Sequence, residues 1–201
     1  MPTFSFGLTY DYRCPFARNV HEHVVAALEA GADWEVEFLP FSLRQTKVGE
    51  DELAVWDEPE KDSGLLALQA SVAIRDDQPD KFLRAHHALF SLRHDEGGDL
   101  RDEDQVRRAL DAVGVDTAAV FAAIGSGKPL QVVREAHERA VSDHSVFGVP
   151  TFIAGDEAVF VRIMNRADGD AAGSRQVIER LVTTLVGWPE LNEFKHTSIR
   201  R

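Results

Sequence analysis

Between Phe4 and Tyr10 the chain alternates, with Phe4, Phe6, Leu8 and Tyr10 set against Ser5, Gly7 and Thr9. A period of two predicts a half-buried strand. After Asp11-Tyr12-Arg13-Cys14 the period changes. Pro15 suits a first helical turn, where no N–H is required. Phe16, Val20, Val24, Ala27 and Leu28 then fall on one helical face until Gly31 ends the run. Trp34, Val36 and Phe38 alternate again and stop near Pro40. Strand, helix and strand in this order predict a crossover unit with parallel strands.

From about Asp62 to Ser145 only helical patterns occur, separated by punctuation. Leu65, Leu68 and Val72 mark one helix. Pro79 opens another that carries Phe82, Leu83, His86, Leu89 and Phe90. Asp102 and Gln105 have the spacing of a capping box, Gly114 closes that helix, and Asp116 caps a short one through Val120 and Phe121. Gly125-Ser126-Gly127-Lys128 lacks the spacing of a phosphate-binding loop and reads as an inter-helix turn. Pro129 begins a longer helix with Val132, Val133, Ala136, Ala140 and Val141 on its apolar side. Strand character returns at Val149–Ala154, and Gly155-Asp156 is a turn signal before Ala158–Val161, so a hairpin is expected. Val177, Ile178, Leu181, Val182 and Leu185 mark a last helix that ends at Trp188-Pro189. The layout is α/β: βαβ, an all-helical block, then ββα. The block at 49–145 reads as an insertion between 1–48 and 146–201.

Composition narrows the chemistry. A hydrophobic share of 44% with 28% charged residues is ordinary for a globular protein. The net charge of −12 argues against nucleic acid, whose phosphates are bound mainly by clustered Lys and Arg. The acidic stretches Glu50–Glu60 and Asp95–Asp104 read as solvated loops. No apolar run is long enough to span a bilayer, and the N-terminus shows no signal-peptide pattern, so a cytoplasmic location without membrane contact is expected. Of the eight histidines, His21 and His23 point to different helical faces, and His86-His87 lacks a third ligand at a standard spacing. No metal site is expected.

There is one cysteine, which excludes an internal disulfide. Cys14 lies between a strand and a helix, where unpaired N–H groups and the helix dipole favour a thiolate. On that placement a reactive thiol with a lowered pKa is expected, with Arg13 and Arg18 as candidates for added positive potential. Phe147-Gly148-Val149-Pro150-Thr151-Phe152 puts a proline at a strand entrance, a position suited to an edge or to a cis bond in a tight turn. His144 and Ser145 precede that loop, but no local acid orients His144 as a base, so it is expected only to pack or to meet solvent.

Together, Asp11-Tyr12-Arg13-Cys14-Pro15-Phe16-Ala17 after a strand and Gly148-Val149-Pro150-Thr151-Phe152 before a hairpin resemble the DsbA family of thioredoxin-like proteins. The resemblance spans nearly the whole chain and implies a thioredoxin-like fold with a large helical insertion. It matches Cys14 to the nucleophile and Val149-Pro150 to the cis-proline pair, whose first residue offers backbone hydrogen bonds to a thiol ligand. Pro15 and Phe16 fall in the helix turn that tunes redox behaviour. The insertion would cover the site, with Trp56, Phe90 and Phe147 as candidates for an apolar wall. The tail Glu193-Phe194-Lys195-His196-Thr197 and the overall size also resemble actinobacterial members that work with mycothiol.

One departure changes the implied chemistry. Dithiol members carry a second cysteine three residues after the first, and here that residue is Ala17. No thiol within the chain can therefore resolve a mixed disulfide on Cys14. A monothiol oxidoreductase is expected, with no tightly bound cofactor. A low-molecular-weight thiol, mycothiol or glutathione, would be its co-substrate, and an electrophile or disulfide its substrate. Two alternatives stand beside it. One is a kappa-type glutathione transferase or 2-hydroxychromene-2-carboxylate isomerase-like enzyme. The other is a non-catalytic binding protein on the same fold. A homodimer is compatible with each.

Overall fold

The chain is described by a computed structural model that covers residues 4–49, 51–191, 193, 195 and 196. Strand β1 (Phe4–Tyr10), helix α1 (Pro15–Glu29) and strand β2 (Trp34–Pro40) form the expected crossover unit, with Phe4 opposite Trp34 and Tyr10 opposite Pro40 in a parallel ladder. After the helical block, β3 (Thr151–Ala154) and β4 (Glu157–Phe160) form the antiparallel hairpin, and α7 (Ala171–Gly187) closes the fold. β3 runs antiparallel to β1, with Leu8 opposite Phe152, so the sheet order is β2–β1–β3–β4.

That order makes β1 a central strand, and Phe6 through Tyr10 are all buried, Thr9 included. The sequence pattern predicts only half-burial. The difference arises because helices cover both faces: α7 contacts β1 and α1 on one side, and α6 (Lys128–His144) contacts β2 on the other. A Cβ at Gly7 would approach Leu39 Cδ1 to 2.9 Å, so a larger residue there would require the Leu39 side chain to shift.

The block between the two sheet halves is wholly helical among the described residues. It contains α2 (Leu65–Asp77), α3 (Phe82–His94), α4 (Glu103–Asp111), α5 (Thr117–Gly125) and α6. α2 is buried almost continuously from Leu65 to Ile74, as befits a helix packed against α3, α5 and α6. Pro79 opens a short 3-10 turn ahead of α3. Asp102 caps α4 by accepting from Gln105 N at 3.1 Å, and the Gln105 amide donates to the other Asp102 oxygen at 2.8 Å. Asp116 caps α5 by accepting from Ala119 N at 3.1 Å. Ser126 and Gly127 form the expected turn between α5 and α6, with Gly127 at a φ of 79°.

The acidic stretches are not purely solvated loops. Val55 and Trp56 are buried within the first. In the second, Asp95 pairs with Arg18 at 3.1 Å and with Arg166 at 3.0 Å. In the tail motif, Phe194 and Thr197 lie outside the described residues, as does Glu50.

Candidate active site

β1 delivers the chain to Asp11, and a turn closed by Cys14 N donating to Asp11 O (3.0 Å) sets Cys14 at the head of α1. Cys14 is the N-cap, with extended backbone angles of −89° and 116°, and Pro15 follows at the first helical turn. The sulfur occupies the place usually taken by a capping oxygen and accepts from Ala17 N at 3.4 Å. Ala17, where dithiol members have their second cysteine, thus contributes its backbone and no side-chain chemistry.

The proline loop meets this helix end. The Val149–Pro150 peptide is cis, and the Cys14 thiol donates to Val149 O across 3.4 Å. Thr151 N donates to Thr9 Oγ1 at 2.9 Å, which ties the loop to β1. Val161 N donates to Pro150 O at 3.1 Å, which ties the end of the hairpin to the loop. Among the described residues the Val149 N–H has no hydrogen-bond partner. Two segments more than 130 residues apart are thereby joined at one sulfur. Cys14, Val149 and Pro150 are buried, Phe16 is half-buried, and Pro15 is exposed.

The electrostatics correct one expectation. Burial pushes the Cys14 thiol up from its ordinary value; donation from Ala17 N and Phe16 N pulls it down without prevailing, and the Asp11 charge raises it further. The helix start does act in the expected sense, but desolvation of the 92%-hidden residue outweighs it. The resting group is a protonated thiol bonded to Val149 O. Arg13 and Arg18 do not supply the expected positive potential: Arg13 pairs with Asp11 (2.6 Å) and Asp62 (3.0 Å), and Arg18 turns to Asp95.

The cation that does lower the Cys14 thiol is Arg162, which the sequence reading missed. Its guanidinium carbon lies 5.3 Å from the centroid of the Phe16 ring and 5.8 Å from that of Phe160. The usable signal was the hairpin register: with Thr151 opposite Phe160, residues 160–162 return to the proline loop.

Of the proposed wall, Phe90 is a core residue against Tyr12 and His86, and Trp56 is buried against His137. Only Phe147 is open, at 71% exposure, its ring tilted against Phe160 with centroids 5.3 Å apart. His144 lines a groove of about 600 Å³ between α6 and the sheet with Ser5, Gly7 and Glu37, away from Cys14. The strands and helices also bring His21 and His86 together. Tyr12 Oη meets His86 Nδ1 at 2.7 Å, His86 Nε2 meets His21 Nδ1 at 2.8 Å, and His21 Nε2 donates to Thr9 O at 3.2 Å. Because the terminal carbonyl only accepts, neutral rings require every proton to point the same way, from Tyr12 through His86 and His21 to Thr9. Among the described residues no group of three or more His, Cys, Asp or Glu side chains is arranged to hold a metal.

Comparison with known proteins agrees with this architecture. The DSBA-like thioredoxin domain family model matches residues 8–168. No curated protein matches the chain. Three solved structures share the fold. They are the thiol-disulfide exchange protein alpha-DsbA2 from Wolbachia pipientis (TM-score 0.60, 17% identity, 90% of this chain and 82% of that one), the cytosolic disulfide reductase DsbM from Pseudomonas aeruginosa with GSH (TM-score 0.59, 15% identity, 89% and 98%), and a thioredoxin-like oxidoreductase from Silicibacter pomeroyi (TM-score 0.57, 19% identity, 88% and 85%). With its mixed four-stranded sheet, helical insertion and Cys14 facing a cis-proline loop, the chain belongs to the family of DsbA-like thioredoxin domains, a family of thiol-disulfide oxidoreductases.

Proposed function

We propose that this protein is a monothiol oxidoreductase that exchanges disulfides through Cys14 with a low-molecular-weight thiol, glutathione or mycothiol. The observation that carries this reading is Cys14 against the Val149–Pro150 loop with Ala17 in place of a resolving thiol. The deprotonated sulfur attacks one sulfur of a disulfide. A bond from Cys14 to that sulfur forms as the original S–S bond breaks, and the other half leaves as a thiolate that takes up the proton Cys14 gave up. A second, external thiol then attacks the mixed disulfide, restores Cys14 and carries the bound half away as a new disulfide. No net electrons remain on the protein. Val149 supplies backbone groups beside the sulfur, and Pro15, Phe16 and Pro150 shape the contact surface. The structure of DsbM, described as cytosolic and as solved with GSH, supports a small-thiol partner and a cytoplasmic setting.

The raised thiol pKa favours a second reading. A protonated Cys14 can donate a hydrogen bond to a bound thiolate, as a kappa-type glutathione transferase or related isomerase would require, without attacking anything. Steady-state turnover of a small disulfide at several thiol concentrations separates the two. Covalent exchange gives parallel double-reciprocal lines and no turnover in Cys14→Ser. Intersecting lines with turnover retained in Cys14→Ser would overturn it in favour of the transferase.

A further inference from the structure

Arg162 is exposed, with its guanidinium carbon 5.3 Å from the ring centroid of Phe16, two residues past Cys14, and among the described residues it has no ion-pair or hydrogen-bond partner. The arginines around it are all committed: Arg13 to Asp11 and Asp62, Arg18 to Asp95, and Arg166 to Glu22 and Asp95. Its backbone is nevertheless fixed from both sides. The preceding residue is tied to the proline loop by Val161 N donating to Pro150 O at 3.1 Å. The following residue is tied to the active-site helix by Asn19 Nδ2 donating to Ile163 O at 3.0 Å. The side chain then lies over Phe16 and Phe160, whose rings hold the guanidinium without neutralising it. A chain with a net charge of −12 thus presents one uncommitted cation at the mouth of its thiol site, on two rigid tethers.

Resting on the exchange reading above, we infer that Arg162 is a specificity residue that pairs with a carboxylate of the incoming disulfide or thiol. The planar guanidinium suits two-point recognition of a carboxylate, and the flanking aromatic rings restrict its orientations. The ligand class is therefore a carboxylate-bearing small thiol, preferred over an uncharged one. Arg162 takes no part in bond making; it places the sulfur of an anionic partner over Cys14.

Rates of mixed-disulfide formation with 3,3′-dithiodipropionate and with bis(2-hydroxyethyl) disulfide test this, read as a ratio. Any effect of Arg162 on the Cys14 thiol is common to both reagents and cancels. Arg162→Gln is expected to lower the ratio of the dicarboxylate rate to the neutral rate by about fivefold, the scale of one exposed ion pair, and Arg162→Lys to recover part of it. A ratio unchanged in Arg162→Gln overturns the inference. If neither disulfide modifies Cys14 in the unaltered protein, the exchange reading fails. Calorimetry with S-methylglutathione, which cannot exchange, then still judges the subsite. Binding weakened about fivefold by Arg162→Gln supports it, and equal binding, or none to either protein, overturns it.

Discussion

At Cys14 two effects oppose one another, and burial prevails. Backbone donors at the head of α1 stabilise a thiolate, and removal from water destabilises it. Position along the chain reveals the first effect, because a cysteine followed by proline after a strand must head a helix. It cannot reveal the second, because the groups that bury the sulfur come from a loop near residue 149. The kinetic consequence is bounded. Each unit by which a thiol pKa exceeds ambient pH costs tenfold in thiolate, while the more basic sulfur regains about threefold in nucleophilicity, a net loss of about threefold. Alkylation of Cys14 by iodoacetamide should therefore climb from pH 7 through about pH 9 without levelling off, because the group titrates above its ordinary value. A plateau reached by neutral pH would show that the helix terminus prevails over burial. Ala17 offers the complementary change. Ala17→Cys restores the dithiol spacing and should yield an internal disulfide, seen as a two-hydrogen mass loss on oxidation that Cys14→Ser abolishes.

Among the elements, the alternation of β1, the single apolar stripe of α1 and the Asp102–Gln105 spacing were all readable, since each is a local pattern with one physical cause. α2 was readable only as a helix. Its burial on every side follows from its place among α3, α5 and α6, which no local pattern records. The segment after β4 was the least legible, although it carries Arg162, because neither a helical nor a strand period runs through it. It is held by long-range charge pairing: Arg166 grips Glu22 of α1 with contacts of 2.6 and 2.9 Å and reaches Asp95 just past α3. Glu22→Ala removes the α1 partner and leaves Arg166 with Asp95 alone. Replacing a nearly buried, charge-assisted pair of this kind should cost about 1–2 kcal/mol in urea unfolding, because Arg166 is itself partly solvated. It should also weaken any selectivity that depends on the placement of Arg162. A loss of stability indistinguishable from zero would mean that the tethers at residues 161 and 163 suffice.

For the molecule as a whole, the least foreseeable feature is the buried file Tyr12–His86–His21–Thr9. The sequence places His21 and His86 on separate helices 65 residues apart; the core joins them by a 2.8 Å hydrogen bond. Burial pushes His21 down to about 3 and His86 well below its ordinary value, the latter also opposed by the neighbouring His21 charge. Because these folded values lie below the unfolded one, the unfolded chain takes up protons first as pH falls. The stability present at neutral pH is therefore lost progressively below about pH 6.5, by about 1.4 kcal/mol per unit for each histidine. Urea midpoints should fall between pH 7 and pH 5, before most carboxylates titrate; a flat profile over that range would mean that the rings are protonated in the native state. Tyr12→Phe deprives His86 Nδ1 of its donor and should cost about 1–3 kcal/mol at pH 7.

The central claim is that one sulfur, Cys14, carries exchange with an external thiol. Intact-mass measurement after incubation with oxidised glutathione, followed by peptide mapping and then by excess reduced thiol, tests it most directly. The expected result is a single glutathionyl group, on Cys14 only, that the added thiol removes to regenerate the starting mass. An unmodified protein after prolonged incubation at pH 8 to 9, where ~8.5 is the free-thiol value, would contradict the claim and leave a thioredoxin fold that binds without exchanging.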